Sequence, residues 1–268
     1  PIRYSRHLWQ TTTWVAFRMI RGLLAGALAL VAWAGTGCRP APPAPSVVLV
    51  SIDTLRADRL GAYGRPDADT PTYDRLATLG TRFAQAMAPT PVTLPSHATL
   101  LTGLGPRAHG IRHNGLFRLG DDVQTLAERL GSQGFRRGAF VASAVLHPRY
   151  RLDQGFERYD YAEAGARAGN FFLKERPALD VNDAALGWLD SVGHDEPFLM
   201  FVHYMEPHAP YRPPEPEASR HADDPYQGEV AAADRALGAL LEGIHQRGRL
   251  QRSLVVVTSD HGESLGEH

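Results

Sequence analysis

The sequence predicts an α/β domain of three layers, with a mostly parallel central sheet between helices. Three observations predict it. Short, nearly continuous apolar runs recur along the chain, helical patterns lie between them, and two of the runs end in an aspartate. Strands apolar at every position are covered on both faces, the usual condition of a parallel sheet. Composition permits such a domain: 268 residues, 43% hydrophobic and 21% charged, argue against wholesale disorder.

The elements follow in order. The first run, Val-Val-Leu-Val-Ser-Ile over residues 47–52, ends at Asp53. Pro95 is expected to start a helix, with Thr93 and Leu94 just outside it, because proline suits the first helical position. Asp121 is expected to cap a helix running to about Leu130, stopped by Gly131 and Gly134. A weaker run covers 139–142. The stretch 153–177 is polar, aromatic and unpatterned, and reads as a surface excursion. A helix is expected over 182–192, then a run over 198–202 that ends near His203. The next helix, 229–247, is the most regular. Val230, Ala233, Leu237, Leu240 and Ile244 step by three and four, Gly248 ends it, and Asp234 and Arg235 read as its solvated face. The last run, 254–258, leads to Asp260. There is no internal repeat.

The first 45 residues read differently. Residues 23–34 are apolar, preceded by Arg18 and Arg21 and closed by Gly35-Thr36-Gly37-Cys38. A basic end, a short apolar run and small residues describe a secretory signal. The cysteine makes it resemble a bacterial lipoprotein signal, in which Cys38 is acylated and becomes the first residue. Met19 sits where such a peptide would begin. A single membrane anchor over 14–33 is the alternative reading. Residues 38–45 are proline-rich and read as a stiff spacer. The expected organisation is 1–37 upstream residues and signal, 38–45 linker, and 46–268 catalytic domain. The implied location is exported and membrane-tethered.

Charge and cysteine usage narrow the function. Residues 1–37 hold four arginines and no acids, so from totals of 28 basic and 29 acidic residues the remainder keeps a formal −5. That balance gives no footprint for nucleic acid. Cys38 is the only cysteine, which excludes an intramolecular disulfide, a cysteine-cluster metal site and any downstream cysteine nucleophile. Lys174 is the only lysine.

In open α/β sheets, ligands bind beyond the carboxyl ends of the strands. Asp53, Asp260 and His261 converging there make a divalent-metal site. Thr93, at a helix N-terminus, would place a hydroxyl beside backbone amides that attract anions. A hydroxyl, a metal and an anion-binding helix end are the parts needed to attack a sulfate or phosphate ester.

Four segments, taken together, resemble the sulfatase family of the alkaline phosphatase superfamily. Leu49-Val-Ser-Ile-Asp-Thr-Leu-Arg-Ala-Asp-Arg-Leu-Gly-Ala-Tyr63-Gly64 is similar to the first metal segment. Thr-Leu-Pro-Ser-His-Ala-Thr-Leu-Leu-Thr-Gly over 93–103 is similar to the nucleophile segment. Phe201-Val-His-Tyr-Met-Glu-Pro-His-Ala-Pro-Tyr211 is similar to a segment with an active-site histidine. Thr258-Ser-Asp-His-Gly-Glu-Ser-Leu-Gly-Glu-His268 is similar to the second metal segment.

The resemblance implies an alkaline-phosphatase-like fold. It implies metal ligation by Asp53, Thr93, Asp260 and His261, with catalysis by Thr93 and His208. It also implies substrate contacts from Asn114 and His97. One divalent ion (Mn, Mg, Zn or Ca) is implied, with a second possible. The implied activity is hydrolysis of sulfate or phosphate esters through a covalent Thr93 intermediate. The substrate would be a small anionic ester, or an envelope lipid or glycan. The alternatives are an envelope phosphoglycerol- or phosphoethanolamine-type transferase and a non-catalytic binding protein.

Three departures stand out. Classical members convert a cysteine or serine to formylglycine, where this chain has Thr93. His97 replaces the motif arginine. The sulfate-gripping lysine–histidine pair has no counterpart near 138–143. Threonine is the residue used by the phosphodiesterase and phospho-transferase branches. The family also continues beyond the second metal segment, so the chain is expected to be a fragment.

Overall fold

The computed structural model describes residues 44–161 and 176–267. The expectations for the signal, for Cys38 and its spacer, and for Lys174 lie outside those residues. Five strands form one sheet: β1 (Ser46–Ile52), β2 (Arg136–Val141), β3 (Arg158–Tyr161), β4 (Phe198–Tyr204) and β5 (Ser253–Ser259). Their order is β3-β2-β4-β1-β5, and every pairing is parallel. Helices α1 (Pro71–Leu79), α2 (Thr93–Thr102), α3 (Pro106–His109), α4 (Leu126–Gly131), α5 (Ala178–Leu189), α6 (Glu217–Arg220) and α7 (Pro225–Gln246) connect and cover it.

Side-chain alternation along a strand sends neighbours to opposite faces. Val48, Val50 and Ile52 of β1 join one buried cluster with Val181 and Leu189 of α5 and Leu237 and Leu240 of α7. Leu49 joins the other with Leu94, Ala98 and Leu101 of α2, Val141 of β2 and Phe201 of β4. These two clusters are the interfaces of the three expected layers. On the α2 face, register pairs Leu49 with Phe201 and then Ser51 with His203. That face therefore turns from apolar to polar towards the carboxyl ends of its central strands, which is where the chemistry gathers.

Several boundaries differ from expectation. Helix α2 starts at Thr93, two residues before Pro95, with Val92 at the N-cap position. Proline is tolerated there because amides of a first turn have no intrahelical acceptor to lose. Helix α4 starts late, at a capping box in which Thr125 and Glu128 satisfy each other's amides. Asp121 lies ahead of it and pairs with Arg151. Helix α5 starts at Ala178, and α7 starts at Pro225 behind an Asp224 cap. The stretch read as an excursion contains edge strand β3.

Asp234 is buried, not solvated. It accepts from Thr72 N at 3.0 Å and Tyr73 N at 2.8 Å, capping α1 from α7. Arg235 pairs with buried Glu217 at 2.8 Å. Among the described residues, no helix is long and apolar enough to cross a membrane.

Candidate active site

Asp53 extends β1 by one rung, its amide donating to Tyr204 O at 3.0 Å. Its side chain is buried at the sheet's carboxyl edge. Thr54 then takes a left-handed φ of 55°. Branched residues rarely adopt that conformation, and here it aims the Thr54 amide at Asp260 Oδ1, 3.1 Å away. The Tyr226 hydroxyl holds the turn by donating to Thr54 O at 2.8 Å and accepting from Arg56 N at 3.1 Å.

Asp260 follows β5. Its Oδ1 also accepts from His261 N at 2.8 Å, and Ser96 Oγ donates to its main-chain oxygen at 2.6 Å. Among the described residues nothing hydrogen-bonds Asp260 Oδ2 or either carboxylate oxygen of Asp53, although all three are buried. His261 Nε2 lies 3.4 Å from Asp260 Oδ2 and 3.9 Å from Asp53 Oδ1. One ligand atom from each of the three residues fits within 4.8 Å.

Buried anionic oxygens without donors are costly. Burial, then the Asp260 charge, pushes the Asp53 carboxyl up to about 7. Hard oxygens with one imidazole suit a divalent cation, so this donor set fits one.

Thr93 is buried at the first position of α2, its Oγ1 3.4 Å from His261 Nε2. Val92 supplies no side-chain cap. The next amide, Leu94 N, donates instead to Asn114 Oδ1 at 2.9 Å. That bond fixes the orientation of the Asn114 amide.

His97 is fully buried one turn into α2. Its Nε2 lies 2.9 Å from Ser51 Oγ and its Nδ1 lies 2.8 Å from Thr93 O. Burial lowers its proton affinity, against the opposing pull of Asp260. His203 is also fully buried, with Nε2 3.3 Å from Asp53 Oδ2, and burial drives it down to about 4. His208, on the loop after β4, is half-buried. Its Nδ1 donates to Ala209 O at 2.6 Å. It borders a groove of about 280 Å³ shared with Met205, Pro210 and Arg212.

The structure brings Asp53, Thr93, Asp260 and His261 to one point, with Asn114 and His97 behind the same helix start. His208 stands on the neighbouring loop. Sequence reasoning met His203 as the end of an apolar run and passed over Ser51, Thr54 and Tyr226. An ionisable residue inside the otherwise apolar strand β4 was the available signal for His203. Buried His109 bonds Thr99 Oγ1 at 3.1 Å and Ile111 N at 3.1 Å, joining α2 to the segment after α3.

The strand ends of this parallel α/β sheet thus gather two carboxylates, an imidazole and a helix-borne hydroxyl. The family model described as Sulfatase matches residues 45–268, and the chain belongs to that family. It is similar to an ulvan-active sulfatase of Formosa agariphila, with 28% identity over 84% of this chain and 52% of that protein. It is similar to ectonucleotide pyrophosphatase/phosphodiesterase family member 3 of Mus musculus, with 27% identity over 84% of this chain and 26% of that one. The chain thus spans about half the length of the first relative and a quarter of the second. A crystal structure of the phosphonate monoester hydrolase of Agrobacterium radiobacter shares the fold, with a TM-score of 0.69 and 21% identity. That match covers 84% of this chain and 64% of the other.

Proposed function

We propose that this domain cleaves phosphate and sulfate esters by attack of the Thr93 hydroxyl, and that phosphate esters are its better substrates. The observation that carries the reading is the placement of Thr93 Oγ1. It sits at a helix start and 3.4 Å from an imidazole that itself borders the Asp53 carboxylate and Asp260 Oδ2, oxygens with no hydrogen bond among the described residues.

Asp53, Asp260 and His261, with Thr93, would hold one divalent ion (Mn, Mg, Zn or Ca). When bound, that ion supplies neutralising charge for ester oxygens and eases deprotonation of a hydroxyl. Thr93 Oγ1 attacks in line and becomes esterified. The Asn114 side-chain amide, held by Leu94 N through its oxygen, offers its NH2 to the anionic oxygens. His208 hydrogen-bonds or protonates the leaving oxygen. Water then attacks the enzyme ester and frees Thr93.

The preference for phosphate follows from the side chain. A hydrated formylglycine has two hydroxyls, so one attacks and the other expels sulfate by re-forming a carbonyl. Threonine has one, so its ester is cleaved by attack at phosphorus or sulfur. Both ester classes occur among the relatives, in a sulfatase and a phosphodiesterase family member. The lipoprotein-like residues 19–38 support an exported, membrane-tethered enzyme acting on small anionic esters or on envelope lipids or glycans.

Aryl sulfate, phosphate monoester and phosphodiester substrates, offered with metal and with or without an acceptor alcohol, test the reading. Thr93→Ala should lose roughly a thousandfold or more in turnover, as for a missing nucleophile, and Thr93→Ser should keep part. Intact mass with a slow phosphodiester should show an adduct on the parent and none on Thr93→Ala. Alcohol-dependent product would make the enzyme a transferase. A preference for aryl sulfate, with Thr93→Ala as fast as the parent, would overturn the reading.

A further inference from the structure

We propose that His97 is a positioning residue, the centre of a buried hydrogen-bonded strut from Ser51 on β1 to the main chain of Thr93. The proposal rests on Thr93 being the nucleophile.

The resemblance assigns His97 to substrate. The structure leaves it nothing to offer one. Its side chain is 0% exposed and both ring nitrogens are engaged. A main-chain carbonyl only accepts, so the Nδ1 facing Thr93 O at 2.8 Å carries a proton. With one proton on the ring, Nε2 accepts, and the Ser51 hydroxyl donates to it across 2.9 Å. The ring is wedged edge-on against His203 at 4.9 Å and Phe201 at 6.0 Å between centroids, and its Nδ1 stands 3.6 Å from Asp260 Oδ2. It has little room to turn away.

The strut's two ends explain its use. Ser51 lies two residues before Asp53 on the same strand. Thr93 O belongs to the peptide unit that leads out of Thr93. The other end of that same peptide unit, Leu94 N, is taken by the Asn114 side chain at 2.9 Å. Side chains from outside the first turn of α2 therefore hold both polar atoms of the Thr93–Leu94 peptide. The rotation of that peptide decides where the Thr93 side chain sits relative to Asp53 and Asp260. Misplacing a reacting atom by about 1 Å can cost on the order of a hundredfold, so the strut acts on turnover and not on binding.

The test compares Ser51→Ala, His97→Gln and His97→Leu in the whole metal-loaded protein. Ser51→Ala and His97→Leu should lower kcat about ten- to a hundredfold with KM shifted less than about threefold. Gln keeps an acceptor for Ser51 and should recover part of the loss. In the parent, histidine ¹⁵N NMR should show a protonated, hydrogen-bonded Nδ1 on His97, and Ser51→Ala should move its Nε2 resonance. Calorimetric metal affinity in Ser51→Ala should stay near the parent value. A raised KM at parent kcat would make His97 a substrate contact and overturn the proposal. So would parent kcat in His97→Leu, or a bare Nδ1 in the spectrum. The spectrum reports the strut without turnover, so a failure of Thr93 as nucleophile is recognised separately by Thr93→Ala.

Discussion

At the residue scale, Asp53 carries an unmet demand in the described structure. Both its oxygens are buried without donors, and its carboxyl rises to about 7 from the ordinary 3.8. The unfolded chain ionises near the lower value and the folded, metal-free chain near the higher. Between them the folded state binds more protons, so this group's contribution to metal-free stability falls as pH rises through that window. Ionisation is what a cation requires, so metal affinity should climb through the same window. Asp53→Asn removes the titration at nearly constant shape. Its melting-temperature advantage over the metal-free parent should grow from about pH 4 to pH 7 and then level off. Its gain from added Mn²⁺ or Mg²⁺ should vanish. An unchanged metal-dependent gain would take Asp53 out of the metal site. Asp53, Thr93, Asp260 and His261 were readable because strand ends and a helix start announce themselves in sequence. Ser51, His203 and Tyr226 were not. Ser51 meets His203 only through strand register, and Tyr226 meets Thr54 across 172 residues.

At the element scale, α1 shows what local patterning omits. It has nine residues, and the Thr70 side chain at its N-cap accepts from Gly61 N, donates to Asp74 Oδ1 and caps none of the helix amides. Its first-turn amides are served by Asp234, which looks solvated when α7 is read by period alone. Asp234→Ala strands two amides in a largely buried place and should cost about 1–3 kcal/mol, with Asp234→Asn recovering part. Denaturant unfolding measures this, and an Ala variant that unfolds at the parental midpoint would show that the cap adds nothing. The central strands β1 and β4 were legible because both their faces are covered, so they read as nearly continuous apolar runs. Strand β3 was not, since Arg-Tyr-Asp-Tyr on an edge pairs with β2 alone and lacks that signature. Helix α4 was entered too early because Asp121 resembles a cap, while the Thr125–Glu128 box just beyond it is the one that forms.

At the scale of the whole molecule, parallel topology gathers the site. Five strands pointing one way put the residues after β1, β4 and β5 on one edge, though Asp53 and Asp260 are separated by most of the domain. That convergence was expected from Asp53, Asp260 and His261 at strand ends together with the four family-like segments. The proposed tethering rests on residues that precede the sheet. Cys38 follows an apolar run and a small-residue boundary, and a proline-rich stretch separates it from β1. Acylation at that cysteine would hold the domain near a membrane surface, where lipid or glycan esters are concentrated. The formal −5 of the remaining chain gives it no electrostatic attraction of its own to anionic lipid, so tethering would rest on the anchor. Cys38→Ala should therefore shift the protein from the membrane to the soluble fraction, or leave it as an unprocessed precursor. The melting temperature and turnover of the purified domain should stay unchanged. A variant that fractionates and migrates like the parent would show that Cys38 is not the attachment point, and the tether would then have to be the apolar segment itself.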